Sequence, residues 1–366
     1  MERIKKNFGL GCMRFPKNGE TVDLETTKKM IDTFMDAGFN YFDTARVYMH
    51  NQCESIMREC LTSRYPRDAY VLTDKLSAGC FEKAEDIRPL FEEQLKDSGV
   101  DYFDFYLMHA QTRDNIGKYR ACRAYEQAAE LRAEGKIRHL GISFHDNAAV
   151  LEEILTEFPQ VEVVQLQLNY MDFDDPSVEG RKCLEVCNRL GKPVIVMEPV
   201  KGGVLAELPD VAKDILEGNP ASYALRFAAG QKGVFMTLSG MGNLEMIAEN
   251  TALFADFKPL TAAEEALVYQ VRDVLNNADT IPCTACRYCV DGCPQGIPIP
   301  ELFSCKNKKI LFDNWNADFY YRTHTAKGGK ASTCIDCGAC EEICPQHLPI
   351  RDLLKDVAHT FEKEEE

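Results

Sequence analysis

Eight short apolar runs recur over the first 260 residues, each separated from the next by a segment with helical signals, and this alternation restricts the fold more than any other feature. The runs are Asn7–Cys12, Phe39–Asp43, Ala69–Lys75, Phe103–His109, Ile137–Ser143, Val161–Gln167, Pro193–Glu198 and Val234–Leu238. Nearly continuous apolar runs of this length read as strands buried on both faces, and strands alternating with helices imply a parallel sheet. The intervening segments carry helix start and stop signals. Asp23 or Glu25 precedes TTKKMIDTFMDAG, Asn219-Pro220 precedes ASYALRFAAG, and Gly38, Gly99, Gly135, Gly191 and Gly230 stand at their ends. Eight evenly spaced units predict an α/β fold, a closed (β/α)8 TIM barrel. An open doubly wound sheet is the alternative, and it lacks the G-x-G-x-x-G turn expected of it.

The chain has 366 residues, which leaves room for a smaller unit beyond a barrel of about 250 residues. Lys258-Pro259 marks the end of the barrel, giving domains 1–260 and 261–366, the second opening on a helix from Ala262 to Asn277. A net charge of −16 provides no basic face to neutralise phosphates, so nucleic acid is excluded as a partner. No apolar run of about 18 residues is present and MERIKKNFGLG lacks the apolar core of a signal peptide, which predicts no membrane association and a cytoplasmic location.

In a barrel of this type the reactive rim lies at the strand ends. Asp43 closes the second run, Tyr48 follows five residues later, Lys75 closes the third run and His109 the fourth. Each alone reads equally as a barrel salt bridge, an aromatic contact or a core histidine. Together they bring a carboxylate, a phenol, an ammonium and an imidazole to one site.

In these four residues, in this order at matching strand ends, and in the stretches FDTARVY and EPVKGG, the chain resembles the aldo-keto reductases over residues 1 to 260. The resemblance implies an NAD(P)-dependent oxidoreductase that interconverts a carbonyl and an alcohol, with NADPH or NADH as cofactor. It makes Asp43, Tyr48, Lys75 and His109 the catalytic tetrad. Tyr48 is the expected proton donor. A phenol, with an ordinary pKa of about 10, gives up its proton more readily when a nearby ammonium, Lys75, stabilises the anion. Asp43 would hold Lys75 charged, and His109 would orient the carbonyl.

The same resemblance assigns the nicotinamide carboxamide to Ser143 and Gln165, ring contact to Met197, phosphate contacts to Lys201, Gly202, Gly203, Ser239, Gly240 and Gly242, and the adenine side to Glu249 and Asn250. The asparagine that usually follows the serine is Phe144 here, and the usual stacking tyrosine is Met197. Ser239 to Asn250 contains no Lys or Arg, so the choice between NADPH and NADH stays open. Gly9-Leu10-Gly11 reads as backbone room beside the cofactor.

More than half of the 16 cysteines fall after Pro282, all but one of them at ligand spacing. Cys283, Cys286, Cys289, Cys293 and Pro294 read C-x2-C-x2-C-x3-C-P, and Cys334, Cys337, Cys340, Cys344 and Pro345 repeat it. Zinc sites share the C-x2-C element, but the duplicated run resembles a two-cluster 4Fe-4S ferredoxin-like domain. That likeness implies crossed ligation: Cys283, Cys286, Cys289 and Cys344 on one cluster, Cys334, Cys337, Cys340 and Cys293 on the other. Trp315, Phe319 and Tyr320 between the runs read as core, and Cys12, Cys53 and Cys305 as small buried hydrophobes. Nicotinamide moves two electrons as hydride while such clusters move one, and no flavin motif is present to convert between them, though flavin is not excluded. The domain is therefore structural, a dock for a redox protein partner, or an electron-transfer module. The alternative for the whole chain is an electron carrier whose barrel is a docking scaffold.

Overall fold

The computed structural model describes the chain apart from residues 2, 20, 177, 278–279, 282, 284–286, 313–314, 327, 345 and 363–366, and apart from the side chains of 288, 291, 312, 315 and 316. Cys286, Pro345 and the Trp315 side chain thus lie outside the described residues. Two compact units result, Met1–Ala206 with Asn219–Glu265, and Glu207–Gly218 with Ala266–Glu366.

The first unit is a barrel of β1 (Phe8–Gly11), β2 (Tyr41–Asp43), β3 (Val71–Leu76), β4 (Phe103–Gln111), β5 (Ile137–Phe144), β6 (Val163–Gln167), β7 (Val194–Met197) and β8 (Val234–Gly240). It closes in the order β1-β8-β7-β6-β5-β4-β3-β2. Closure occurs at β1, where Phe8 pairs with Thr237 of β8 and Gly9 with Tyr41 of β2, both in parallel. That closure rules out the open sheet. Helices pack outside, with the expected caps. Asp23, rather than Glu25, caps Leu24–Asp36 by accepting from the Thr26 N–H at 3.0 Å, and Asn219 caps Pro220–Ala229 by accepting from Ala221 at 2.9 Å.

The barrel interior is filled by Tyr41, Val71, Phe105, Leu107, Val163, Ile195, Met236 and Leu238. Side chains alternate across a strand, so the same face continues upward through Asp43, Lys75, His109, Gln165 and Met197. The candidate site is therefore the top layer of the core. Gly9 belongs to the core as well: a Cβ there would come within 2.7 Å of Leu238 Cδ2 and 2.8 Å of Tyr41 Cδ1. This corrects the reading of Gly9 as room for a cofactor, because the crowding partners are core side chains.

The second unit contains the helices Tyr288–Asp291, Ile299–Phe312, Trp315–Thr325, Ala339–Glu342 and Ile350–Phe361. Ile297, Ile299, Leu302, Phe303, Ile350, Leu354 and Val357 form its core. Phe319 and Tyr320 are 49% and 43% exposed, contrary to their reading as core. Ala317 and Tyr321, four residues apart, take the buried face of their helix, which leaves 319 and 320 on the other side. Among the described residues no helix is long and apolar enough to cross a membrane.

Candidate active site and cysteine cavities

Three strand ends deliver the tetrad to one point. Lys75, with no exposed surface, places Nζ 2.5 Å from Asp43 Oδ1, 2.7 Å from the Thr44 carbonyl and 3.3 Å from the Tyr48 hydroxyl. Its three donors thus face a carboxylate, a backbone oxygen and the phenol, which satisfies a buried ammonium. The other Asp43 oxygen accepts from Gln165 Nε2 at 3.0 Å. Tyr48 comes from the turn between β2 and the helix Cys53–Met57, and its ring meets that of His109 edge-on at 5.9 Å. His109 Nδ1 lies 2.6 Å from Ser77 Oγ, while the single Tyr119 hydroxyl proton lies between two acceptors, the His109 carbonyl at 2.9 Å and that of Leu76 at 2.8 Å.

Burial pulls the Lys75 ammonium toward losing its proton, but Asp43 and then Tyr48 outweigh it, leaving Lys75 above its ordinary value. For Tyr48 the balance differs from expectation. Burial pushes the phenol up, the Lys75 charge opposes this, Asp43 adds to it, and the result is a pKa of about 12. The ammonium does not make this phenol acidic at rest; desolvation of the phenolate wins. Burial, then the Lys75 and His145 charges, hold His109 well below 6.5, so it is a neutral imidazole near pH 7.

The expected cofactor residues occupy the same rim. Ser143 Oγ accepts from the Ala110 N–H at 2.7 Å, where Ala110 takes the left-handed conformation with φ 51°. Phe144 faces outward by strand alternation and lines a cavity of about 130 Å³ with His145, Asp146 and Gln167. Met197 ends β7, half-buried. Lys201 opens the turn Lys201–Gly203, with Gly202 at φ 69°, and its ammonium is paired with buried Asp172. Ser239 is buried, Gly240 is exposed and Gly242 half-buried. Glu249 is exposed and accepts from Asn219 Nδ2 at 3.1 Å, and Asn250 is half-buried. Ser77, Tyr119 and His145 were not anticipated. Ser77 shares the inward parity of Lys75 and was legible on that ground, whereas Tyr119, on the helix Arg113–Ala121, carries no such signal.

In the second unit seven of the described cysteines line two cavities. Cys283, Cys289 and Cys344 line one, with Phe303 and Ile350; Cys293, Cys334, Cys337 and Cys340 line the other, with Arg351 and Leu354. The last cysteine of each run lies on the other run's cavity. The duplication extends past the cysteines. Arg287 and Gly338, each following the second cysteine of its run, are left-handed at φ 64° and 79°, and Gly296 and His347 are left-handed at φ 60° and 50°. Each repeat then starts a helix, at Ile299 and Ile350. Thiols are soft donors suited to iron–sulfur chemistry. Cys12, Cys53 and Cys305 are buried, and Cys305 belongs to the core of the second unit.

The aldo/keto reductase family profile matches residues 7–273. The chain belongs to the aldo/keto reductase family. With the family comes an enzyme class, the NAD(P)-dependent oxidoreductases. A 4Fe-4S dicluster domain matches residues 282–348. Among similar proteins, an aldo-keto reductase of Mycolicibacterium paratuberculosis is 27% identical over 69% of this chain and 82% of its own length. An uncharacterized oxidoreductase of Schizosaccharomyces pombe is 25% identical over 68% and 81%. The barrel also superposes on solved aldo-keto reductases. The holo form of AKR11C1 from Bacillus halodurans gives a TM-score of 0.60 at 22% identity, over 72% of this chain and 91% of that one. An enzyme of Klebsiella pneumoniae in complex with NADPH gives 0.58 at 20%, over 73% and 90%. At these identities the superposition speaks to the fold alone.

Proposed function

We propose that this aldo/keto reductase reduces an aldehyde or ketone to an alcohol, or runs the reverse reaction, in the cytoplasm, using NADPH or NADH. The observation that carries the reading is the Tyr48 hydroxyl 3.3 Å from a Lys75 ammonium that is itself 2.5 Å from Asp43. A bound nicotinamide supplies the hydride. The chain's own residues supply the rest. Tyr48, protonated at rest, donates its proton to the carbonyl oxygen as negative charge grows there. The phenolate left behind is the species Lys75 stabilises, so the ammonium acts on the transition state more than on the resting phenol. Asp43 keeps Lys75 charged and Gln165 keeps Asp43 in place. With Nδ1 accepting from Ser77, neutral His109 has Nε2–H free to donate to the same carbonyl oxygen. In the reverse direction Tyr48 as phenolate takes the alcohol proton. Ser143, Gln165 and Met197 would flank the nicotinamide, Lys201, Gly202, Ser239, Gly240 and Gly242 the phosphates, and Glu249 and Asn250 the adenine.

The second unit, with the barrel ending near residue 260, would hold two 4Fe-4S clusters, on Cys283, Cys286, Cys289 and Cys344 and on Cys293, Cys334, Cys337 and Cys340. Support comes from the two cavities on which each run's fourth cysteine crosses over. When bound, such clusters supply one-electron exchange with a redox protein partner.

The test uses anaerobically purified full-length protein. Tyr48→Phe is expected to lower carbonyl-driven nicotinamide oxidation by about 10²–10⁴-fold, with the brown visible absorbance unchanged. If the unsubstituted protein shows no turnover over a broad carbonyl panel while an external donor reduces its clusters rapidly, the electron-carrier reading replaces this one.

A further inference from the structure

β1 and β8 are neighbours in the barrel, with Gly11 opposite Gly240, so the turns that follow them leave the rim side by side. The turn after β1 is Cys12–Arg14, and its arginine lies across Gly240, which ends β8, and Gly242 just beyond it. A Cβ on Gly240 would come within 3.2 Å of Arg14 Cδ, 3.3 Å of its Cγ and 3.5 Å of its Cβ, and one on Gly242 within 3.5 Å of the Arg14 carbonyl. Gly240 therefore leaves the space that the arginine stem occupies. Arg14 is half-buried, and among the described residues its guanidinium makes no hydrogen bond, ion pair or ring contact.

The turn beside it lacks positive charge. Ser239 to Asn250 has no Lys or Arg. Asn243 already caps the next helix by accepting from the Met246 N–H at 2.8 Å, and Glu245 adds a carboxylate in the first turn. Lys201, the other cation expected at the phosphates, is engaged by Asp172.

We propose that Arg14 is the cation that receives a phosphate group of the dinucleotide at the Gly240–Gly242 turn, a contact made from the first strand instead of from the segment after the eighth. The proposal rests on the cofactor reading above. A guanidinium presents paired donors to phosphate oxygens, and both the 2′-phosphate of NADPH and the pyrophosphate common to NADH and NADPH offer that chemistry.

Calorimetric titration of the full-length protein with NADP⁺, NAD⁺ and 2′,5′-ADP separates the cases without relying on turnover. Arg14→Gln is expected to weaken binding on the order of 10- to 100-fold. Loss confined to NADP⁺ and 2′,5′-ADP places the arginine on the 2′-phosphate, and equal loss for NADP⁺ and NAD⁺ places it on the pyrophosphate, which 2′,5′-ADP lacks. Arg14→Lys should recover part of the affinity. Gly240→Ala, whose methyl would displace the arginine stem, should weaken binding in the same sense. Unchanged affinity in Arg14→Gln, with the unsubstituted protein binding normally, overturns the role of Arg14 and leaves the cofactor reading standing. If the unsubstituted protein binds none of the three, the cofactor reading falls and this proposal falls with it.

Discussion

A lysine with no exposed surface keeps its charge only when its partners outweigh the loss of hydration. At Lys75 a carboxylate at 2.5 Å and a carbonyl at 2.7 Å do so, and the phenol at 3.3 Å takes the third donor. The same burial raises Tyr48 to about 12 and depresses His109, so near pH 7 the phenol is protonated and the imidazole neutral. Reduction rates should therefore be flat from about pH 6.5 to 9. Oxidation, which needs the phenolate, should climb about tenfold per pH unit over that range. Parallel pH–rate profiles check this, and a reduction limb titrating inside the window would contradict it. His109 also bears on stability. Its folded pKa lies below the 6.5 of the unfolded chain, so acid protonates the unfolded state first. The stability it contributes is full above pH 6.5 and declines as the pH falls below that value.

Strand alternation is what turns eight apolar runs into a filled barrel with a reactive top layer. It also leaves places where no side chain fits. Gly141 of β5 is one: a Cβ would lie 2.5 Å from Leu107 Cδ2, 2.6 Å from Val163 Cγ2 and 2.8 Å from the Val163 carbonyl. Two of these contacts belong to β6, one of them backbone, so local side-chain movement cannot relieve them all. Gly141→Ala should destabilise the barrel by about 1–3 kcal/mol through overpacking, read as a lower urea midpoint. An unchanged midpoint would mean that β5 and β6 can separate at no cost. The segment carrying Tyr48 is held differently. Met49, His50 and Asn51 are all left-handed, at φ 51°, 56° and 64°, a conformation that non-glycine residues keep only when tied down. Arg46 ties this segment, bonding Glu54 and Asp97 at 2.5 Å each and Glu93 at 2.8 Å.

Across the whole molecule the two units are built on different principles. The barrel closes on its own apolar interior, whereas the core of the second unit has Cys289 buried within it and Cys283, Cys293, Cys334, Cys340 and Cys344 packed against it. A core interleaved with thiols should depend on what the thiols bind. Anaerobic iron chelation is expected to abolish hydrogen-exchange protection in Ile299–Phe312 and Ile350–Phe361 while β1 to β8 stay protected. Protection that survives complete iron loss would show that the unit folds without bound metal. What depends on neighbours along the chain was legible in the order of residues. Period and spacing marked the eight strands, the cap at Asn219, the strand-end positions of Asp43, Lys75 and His109, and the duplicated cysteine run, and left the first cap between Asp23 and Glu25. What depends on residues distant in the chain emerged with the folded packing. That packing seated Gly9 in the core, put Arg14 against Gly240, turned Phe319 and Tyr320 outward, and made burial outweigh the ammonium at Tyr48. Solvent exclusion and through-space contact arise only when remote segments come together, and no local pattern encodes which segments those will be.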